Sequence, residues 1–322
     1  MLAYIIRRTL YVIPVVLGVA LITFVLFNVV GWDAATQMLG KHASPDDITA
    51  LRHQLGLDGP KFFNFEAAHQ GPWWKLFDSQ WFHYMKQLAT CDFGRSFASN
   101  QKVSTLVLNG MIPSLILAVP IFIIELVVSI TIAMLAAYYR NTWIDRSIVI
   151  LSVVGLSVSY LVYIMVAQQV LAYQWGVFPI WGFESARYLI LPVVVGVISG
   201  LGSEVRFFRT VMLDEMYQDY VRTAFAKGCT QPTVLFKHVL KNAMIPVLTS
   251  VVLTIPFLYT GNLLLETFFG IPGLGYLNVE AINSTDYPVI KATVFVGSVL
   301  YVFASLLTDI CYAMVDPRIK LR

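Results

Sequence analysis

Charge is what this chain has least of. Of its 322 residues only 13% are Asp, Glu, Lys or Arg, while 57% are hydrophobic; soluble domains carry roughly 25% charged residues. With a mean hydropathy of +0.70, that shortage excludes an ordinary soluble domain and places the chain in the integral-membrane class. The net charge of +3 carries no nucleic-acid signal. Cysteine is scarce too: Cys91, Cys229 and Cys311 are the three. On the topology argued below they fall outside, in the cytoplasm and within the bilayer, so no disulfide within the chain is expected. The five histidines, His42, His53, His69, His83 and His238, are scattered. No Cys or His pair has ligand spacing, so no metal site is expected. A Gly-x-x-x-x-Gly-Lys-Ser/Thr phosphate loop is missing as well, so the chain cannot hold ATP in that way.

What the chain does have is long apolar runs. About 20 mostly apolar residues cross the hydrocarbon core, and six segments qualify: Thr9–Val30, Met111–Tyr139, Ser147–Tyr173, Tyr188–Ser203, Ala243–Leu265 and Val289–Val315. Helix is the expected backbone, because hydrocarbon offers no partner for an unpaired N–H. The fourth run is the weakest, since glycines interrupt it and Glu204 closes it. The first follows Arg7-Arg8 but is too long for a cleavable signal and lacks a small-residue cleavage site, so it reads as a retained helix.

Lys and Arg in short loops set the orientation. Arg7, Arg8, Arg140, Arg146, the loop cations from Arg206 to Lys241, and Arg318, Lys320 and Arg322 all fall on one side if there are six crossings. Both termini and the long loop 206–246 are then cytoplasmic. The expectation is an all-α integral membrane protein of six transmembrane helices. It divides into an N-terminal helix (1–30), an external segment (31–110) and a five-helix core (111–322).

In the external segment, Ser44-Pro45-Asp46-Asp47 has the chemistry of a helix start, with an N-cap Ser, Pro at the first position and acids in the first turn. That helix is expected to run through Leu51 and stop near Gly56. Trp73, Trp74, Phe77, Trp81, Phe82 and Tyr84 fit either a segment lying at the membrane interface or a small core under a loop.

The most informative stretch is the polar island 217–246. Met216, Tyr220, Ala224 and Lys227 stand at helical spacing across Asp214–Lys227. Gly228 is placed to cap that helix in the left-handed conformation, and Pro232 to open a second helix through Val239. A helix, a glycine turn and another helix along the cytoplasmic face would form a rigid knob. A knob on two spans turns a partner's push into movement of those spans. An ordinary amphipathic surface helix is the plainer alternative.

These residues carry a resemblance. Asp219-Tyr220-Val221-Arg222-Thr223-Ala224-Phe225-Ala226-Lys227-Gly228 resembles the coupling loop of importer-type ABC permeases, in its oligopeptide/dipeptide/nickel version. The family's usual Arg is replaced by Phe225, which removes a positive charge. Lys237 to Ala243 and Ile245-Pro246 resemble the downstream helix of that loop. Gln54-Leu55-Gly56-Leu57-Asp58-Gly59-Pro60 and Cys91-Asp92-Phe93-Gly94-Arg95-Ser96 resemble the first permease of the heterodimeric pair. Glu266-Thr267-Phe268-Phe269-Gly270-Ile271-Pro272-Gly273-Leu274-Gly275 resembles the external turn, and Asp309-Ile310-Cys311-Tyr312 with Asp316-Pro317-Arg318-Ile319 the C-terminal signature. Residues 61–80 read as an insertion.

The resemblance implies a type I ABC importer permease fold in the bacterial inner membrane, with a coupling loop between helices 4 and 5. It implies a second homologous permease, two cytoplasmic ATPases that use ATP and Mg, and an external substrate-binding protein. The chain itself would bind no cofactor and catalyse nothing. The coupling residues would be Asp219, Tyr220, Arg222, Thr223, Ala224, Ala226, Lys227 and Gly228. A path or gate would involve Glu125, Glu266, Pro272, Gly273 and Gly275. Dipeptides or oligopeptides are the expected cargo, with nickel chelates, glutathione or another small solute as alternatives.

Glu125 sits deep in the second run, where a carboxylate marks either a path or a helix–helix hydrogen bond, or is kept protonated by desolvation. Pro113, Pro120, Pro192 and Pro256 are expected to kink their spans. Gly196-Val-Ile-Ser-Gly200 offers a close-packing face, for this chain or for a partner permease. A secondary transporter would show internal repeats, and the two halves show none. An intramembrane enzyme would need a paired catalytic group, and only Glu125 lies deep.

Overall fold

The computed structural model describes residues 2–30, 34–39, 44–54, 58–65, 69, 71–255, 258 and 261–315. Among them the backbone is helical throughout, apart from turns and one isolated bridge between Arg95 and Lys102. The chain forms two compact units, residues 1–111 with 277–306, and residues 112–276 with 307–322.

The first unit opens with α1 (Leu2–Phe24), which continues as a π-helical turn over Val25–Val30. Two short helices follow, α2 (Ala34–Leu39) and α3 (Pro45–Gln54). The start of α3 is as its sequence dictates: the Asp46 amide lies 3.4 Å from Ser44 Oγ, and Ile48 N donates to Ser44 O at 3.1 Å. Its expected stop at Gly56 lies outside the described residues. After a 3-10 turn at Trp73–Phe77, α4 (Gln80–Ala89) packs on α1. Ala20, Phe24, Tyr84 and Leu88 are buried together, flanked by Trp81 and Phe93. The rings of Phe24 and Trp81 stand 5.2 Å apart, and Thr23 Oγ1 and Tyr84 OH share a hydrogen bond of 2.8 Å. So Trp81 and Tyr84 belong to a small core, whereas Trp74 remains 61% exposed. Buried Asp286, just before α13 (Tyr287–Val315), accepts from Ser96 Oγ and from the Phe97 amide at 3.1 Å.

α5 (Val103–Tyr138) begins in the first unit and runs into the second. It starts eight residues before the expected Met111, because Val103 is buried and its amide donates to Gly94 O at 3.0 Å. Helix is continuous through Pro113 and Pro120, so neither interrupts the span. The expected third span is built from two pieces, α6 (Trp143–Ser157) and α7 (Tyr160–Ala167, π-helical onward to Gln174). They meet at 92°. Val158 and Ser159 are extended, and Tyr163 OH donates back to Gly155 O at 2.9 Å, holding the corner. Among the described residues five helices are long and apolar enough to cross a membrane, and the bent pair makes six if it is one span.

α8 (Ala186–Met216) extends far beyond the expected Ser203. It has the lowest hydropathy but one of the spans, yet 44% of its apolar window is buried in the chain, against 11% for α5. In lipid the central helix has no need to be the greasiest, because its neighbours rather than acyl chains cover it. Gly196 abuts Ile121, and Gly200 abuts the Glu125 side chain, both on α5. Gly202 faces the Ser152 carbonyl of α6, where a Cβ would come within 2.8 Å. The small-residue face therefore packs inside this chain rather than on a partner. The remaining elements are α9 (Asp219–Ala226), α10 (Gln231–Thr254, with a π-helical stretch at Val234–Val239), α11 (Leu263–Phe269) and α12 (Leu274–Asn283). The expected fifth span ran to Leu265. Helix α10 instead starts twelve residues earlier and ends at Thr254, and Pro256 lies outside the described residues.

Candidate functional site

The knob is built differently from the sequence expectation in two respects. Asp214–Lys227 is not one helix: α8 ends at Met216, Tyr217 and Gln218 break it, and α9 starts at Asp219. Nor does a separate second helix follow. Gln231 to Val239 is the opening of α10 itself, continuous with a candidate span. The knob thus has a helix break at its α8 end and, past the Gly228 turn, runs directly into α10.

α9 is held by one face. Val221 and Ala224 are buried against Met134 and Ala137 of α5, Met212 of α8, and Val234, Leu235 and Val239 of α10. Tyr220, half-buried, donates its phenol proton to Glu215 Oε2 at 2.6 Å. Burial first, and then the Glu215 carboxylate, push the phenol up to about 12, so it stays a neutral donor at any physiological pH. The break before α9 is covered by Arg140, whose guanidinium lies 4.9 Å from the Tyr217 ring centroid.

The end of α9 is a Schellman turn. Gly228 has φ +80°, its amide donates to Phe225 O at 2.9 Å, and the Cys229 amide donates to Ala224 O at 3.2 Å. A Cβ at Gly228 would meet nothing within 4 Å, so glycine is required here for its backbone angle and not for space. Past the turn, Pro232 sits in the first turn of α10, and Gln231 Nε2 donates to Tyr138 O at 3.0 Å, satisfying an orphan carbonyl at the end of α5.

Eight residues of this loop are expected from the sequence to meet a partner. Asp219, Arg222, Thr223, Ala226 and Lys227 are exposed on the outer side of the knob, Ala224 is buried under it, Tyr220 ties it to α8, and Gly228 turns it. The ion pair Arg222–Asp219 at 3.5 Å is fully in solvent and worth little. Phe225, where the resembling family has Arg, is 45% exposed on the same face. This leaves an aromatic ring, of a type enriched at protein interfaces, on the exposed side of α9.

Sequence reasoning passed over the clamp behind the knob. Arg209 Nε and an Nη donate to Asp145 Oδ1 and Oδ2 at 2.7 and 2.9 Å, and Asn141 N adds a bond of 3.2 Å. Asp145 is 4% exposed. This fork fixes the start of α6 to α8, about two turns before the break at Tyr217. In the sequence Arg209 reads as a loop cation, because the polar loop 206–246 begins at Arg206. Its only signal was that Asp145 sits in a helix first turn.

The second cluster surrounds Glu266, fully buried at 0% exposure. Its Oε1 accepts from Ser114 Oγ at 2.8 Å and from the Asn262 amide at 2.9 Å, and its Oε2 accepts from the Tyr276 amide at 3.1 Å. Ser114 Oγ accepts in turn from the Leu274 amide at 2.8 Å. Gly273 and Gly275 press against the carboxylate, and a Cβ on Gly275 would meet the Leu263 backbone at 2.7 Å. Pro272 is exposed at the tip. Glu266, Gly273 and Gly275 are therefore brought together; Glu125 is not among them. It lies half-buried on α5 against Gly200, and its carboxylate accepts no hydrogen bond from the described residues.

Two family models match. One, described as binding-protein-dependent transport system inner membrane component, covers residues 129–321. The other, the N-terminal part of such membrane components, covers residues 1–118. Similar proteins include a dipeptide transport system permease protein of Alkalihalophilus pseudofirmus, 32% identical across 99% of this chain and 100% of the relative. A glutathione transport system permease protein of Salmonella choleraesuis is 33% identical, with 99% of each chain covered. A putative peptide transport system permease protein of Brucella abortus is 34% identical, also with 99% of each covered. With both halves matched and the multi-helix membrane fold in place, the chain belongs to the family of binding-protein-dependent transport system inner membrane components.

Proposed function

We propose that the chain imports short peptides as one of two permeases lining a path, with energy delivered by two cytoplasmic ATPases and cargo by an external binding protein. Both termini and the knob lie on the cytoplasmic side in this reading, as the Lys and Arg pattern supports. Asp219, Arg222, Thr223, Phe225 and Lys227 meet the ATPase, and Val221 and Ala224 carry its motion into α5, α8 and α10. The observation that carries this is the construction of α9: one face buried on three long helices, the other exposed and polar, with Phe225 as its exposed aromatic ring. The knot around Glu266 serves as the stiff external end of the gate, and Glu125 faces the path at Gly200. Relatives of similar identity are named for dipeptide and for glutathione transport, and both cargoes are short amides with free carboxylates. The test is uptake into vesicles holding the chain with a second permease and ATPases. A labelled dipeptide should accumulate only with ATP and binding protein; equal accumulation without ATP refutes the reading.

A further inference from the structure

The first unit contains a recess of about 590 Å³ that the transport reading does not use. Small-molecule sites fall in the range of about 300–1,000 Å³. One wall is a face of α4: Gln80, His83, Tyr84, Gln87 and Leu88 recur at helical spacing and all line it. The opposite wall is the start of α13, with Tyr287, Pro288 and Lys291. His83, Gln87 and Arg95 at the rim are exposed, while Tyr84 and Leu88 are buried, so the recess has a wet mouth and an apolar floor.

Lys291 is the unusual member. It is half-buried, its Nζ donates to Asn28 Oδ1 at 2.6 Å, and it stands 5.9 Å from the Phe27 ring. Among the described residues no carboxylate lies within ion-pair distance of it. A cation withdrawn from water is costly without a counter-charge, and a neutral amide oxygen with an aromatic face offsets only part of that. Asn28 and Phe27 both lie in the π-helical turn at the end of α1, a backbone form that recurs at functional sites. Asn28 Nδ2 lies 3.5 Å from Gln80 Oε1, and Gln80 Nε2 donates to Gly59 O at 2.7 Å, so the polar wall is already ordered before any ligand arrives. The charged lining is Lys291 and Arg95 against Asp78, which sits exposed at the rim. The surplus is positive.

We infer that this recess is a binding site for a small carboxylate with an apolar body, its carboxylate on Lys291 and its body against Tyr84, Leu88, Phe93 and Tyr287. The carboxylate supplies the counter-charge the protein lacks, and the rings and Leu88 bury the remainder. The site belongs to one unit of one chain and needs no ATP, so it stands or falls apart from the transport reading.

The test uses the purified full chain in nanodiscs, without ATPases. The probe is N-acetylphenylalanine, with its uncharged amide as the control. Calorimetry should show saturable binding of the acid, with the amide and the Lys291→Met variant each weaker by about tenfold or more. Lys291→Arg, which keeps the charge, should retain most of the affinity and shows whether the site tolerates substitution. An independent readout covers the case of a misfolded Met variant. In a background with Cys91, Cys229 and Cys311 each replaced by Ser, Gln87→Cys at the mouth should react with a hydrophilic maleimide more slowly when the acid is present, and at an unchanged rate with the amide. Equal affinity for acid and amide, no binding of the acid at millimolar concentration, or no protection of Gln87→Cys would each overturn the assignment.

Discussion

The knob at Gly228 and the knot at Glu266 are both glycine-bearing turns between helices, and they use glycine for opposite reasons. At Gly228 the surroundings are empty, and only the +80° backbone angle excludes a side chain. At Gly275 and Gly273 the limiting factor is space, because a carboxylate, a serine hydroxyl and a backbone already fill the volume a Cβ would need. The knob therefore keeps its outer face free for something else, whereas the knot is complete in itself. A turn whose glycine is conformational can be part of a moving surface. A turn whose glycines are steric is a fixed point.

That contrast can be broken most forcefully at the knot. Gly275→Ala drives a methyl into the Leu263 backbone, and overpacking of this kind costs about 3 kcal/mol or more when nothing can move aside. A large fall in the unfolding temperature in detergent is expected; an unchanged midpoint would mean the knot is looser than its hydrogen bonds imply. Next comes the clamp. Arg209→Met leaves Asp145 buried without its partner, a loss of about 3 kcal/mol at the lower end for a pair of which Arg209 is partly exposed. Asp145→Asn with Arg209→Met should recover part of it, and an absence of coupling in that double-mutant cycle would deny the fork a role.

Gly228→Val should cost only about 1–2 kcal/mol, the price of a left-handed residue with a Cβ. The fold should survive while the turn angle shifts. Smallest of all is Tyr220→Phe, which removes one hydrogen bond to Glu215 for about 1 kcal/mol. Its pH signature is sharper than its size. The folded phenol is raised to about 12 from an unfolded value near 10, so its contribution is fully present below pH 10 and is lost as pH rises from 10 to 12. The wild type should lose stability relative to the Phe variant across that window, and parallel curves would contradict the assignment.

The knob's residues were legible because their chemistry is local. A capping glycine, a Pro at a helix start and a polar helical stripe all leave marks a few residues apart. The apolar runs were legible because lipid demands length and composition together. What the sequence hid was set by distant partners. The corner at Val158–Ser159 carries no proline, and a mostly apolar run with a few serines reads the same straight or bent. The extension of α8 past Ser203 was masked by its cations, which solvate a helix as readily as a loop. The Glu266 knot joins Ser114 to residues about 150 positions away, and nothing in either segment announces the other. The π-helical turn that presents Asn28 to Lys291 leaves no trace in composition at all.

The most direct test of the central claim, that the α9 knob passes a partner's motion to the long helices, is Gly228→Val in reconstituted vesicles with its partner permease, ATPases and binding protein. ATP turnover and peptide uptake are measured on the same preparation. The account predicts that hydrolysis continues while uptake falls about tenfold, equivalent to about 1.4 kcal/mol of lost coupling. Uptake that keeps pace with hydrolysis in that variant would contradict it.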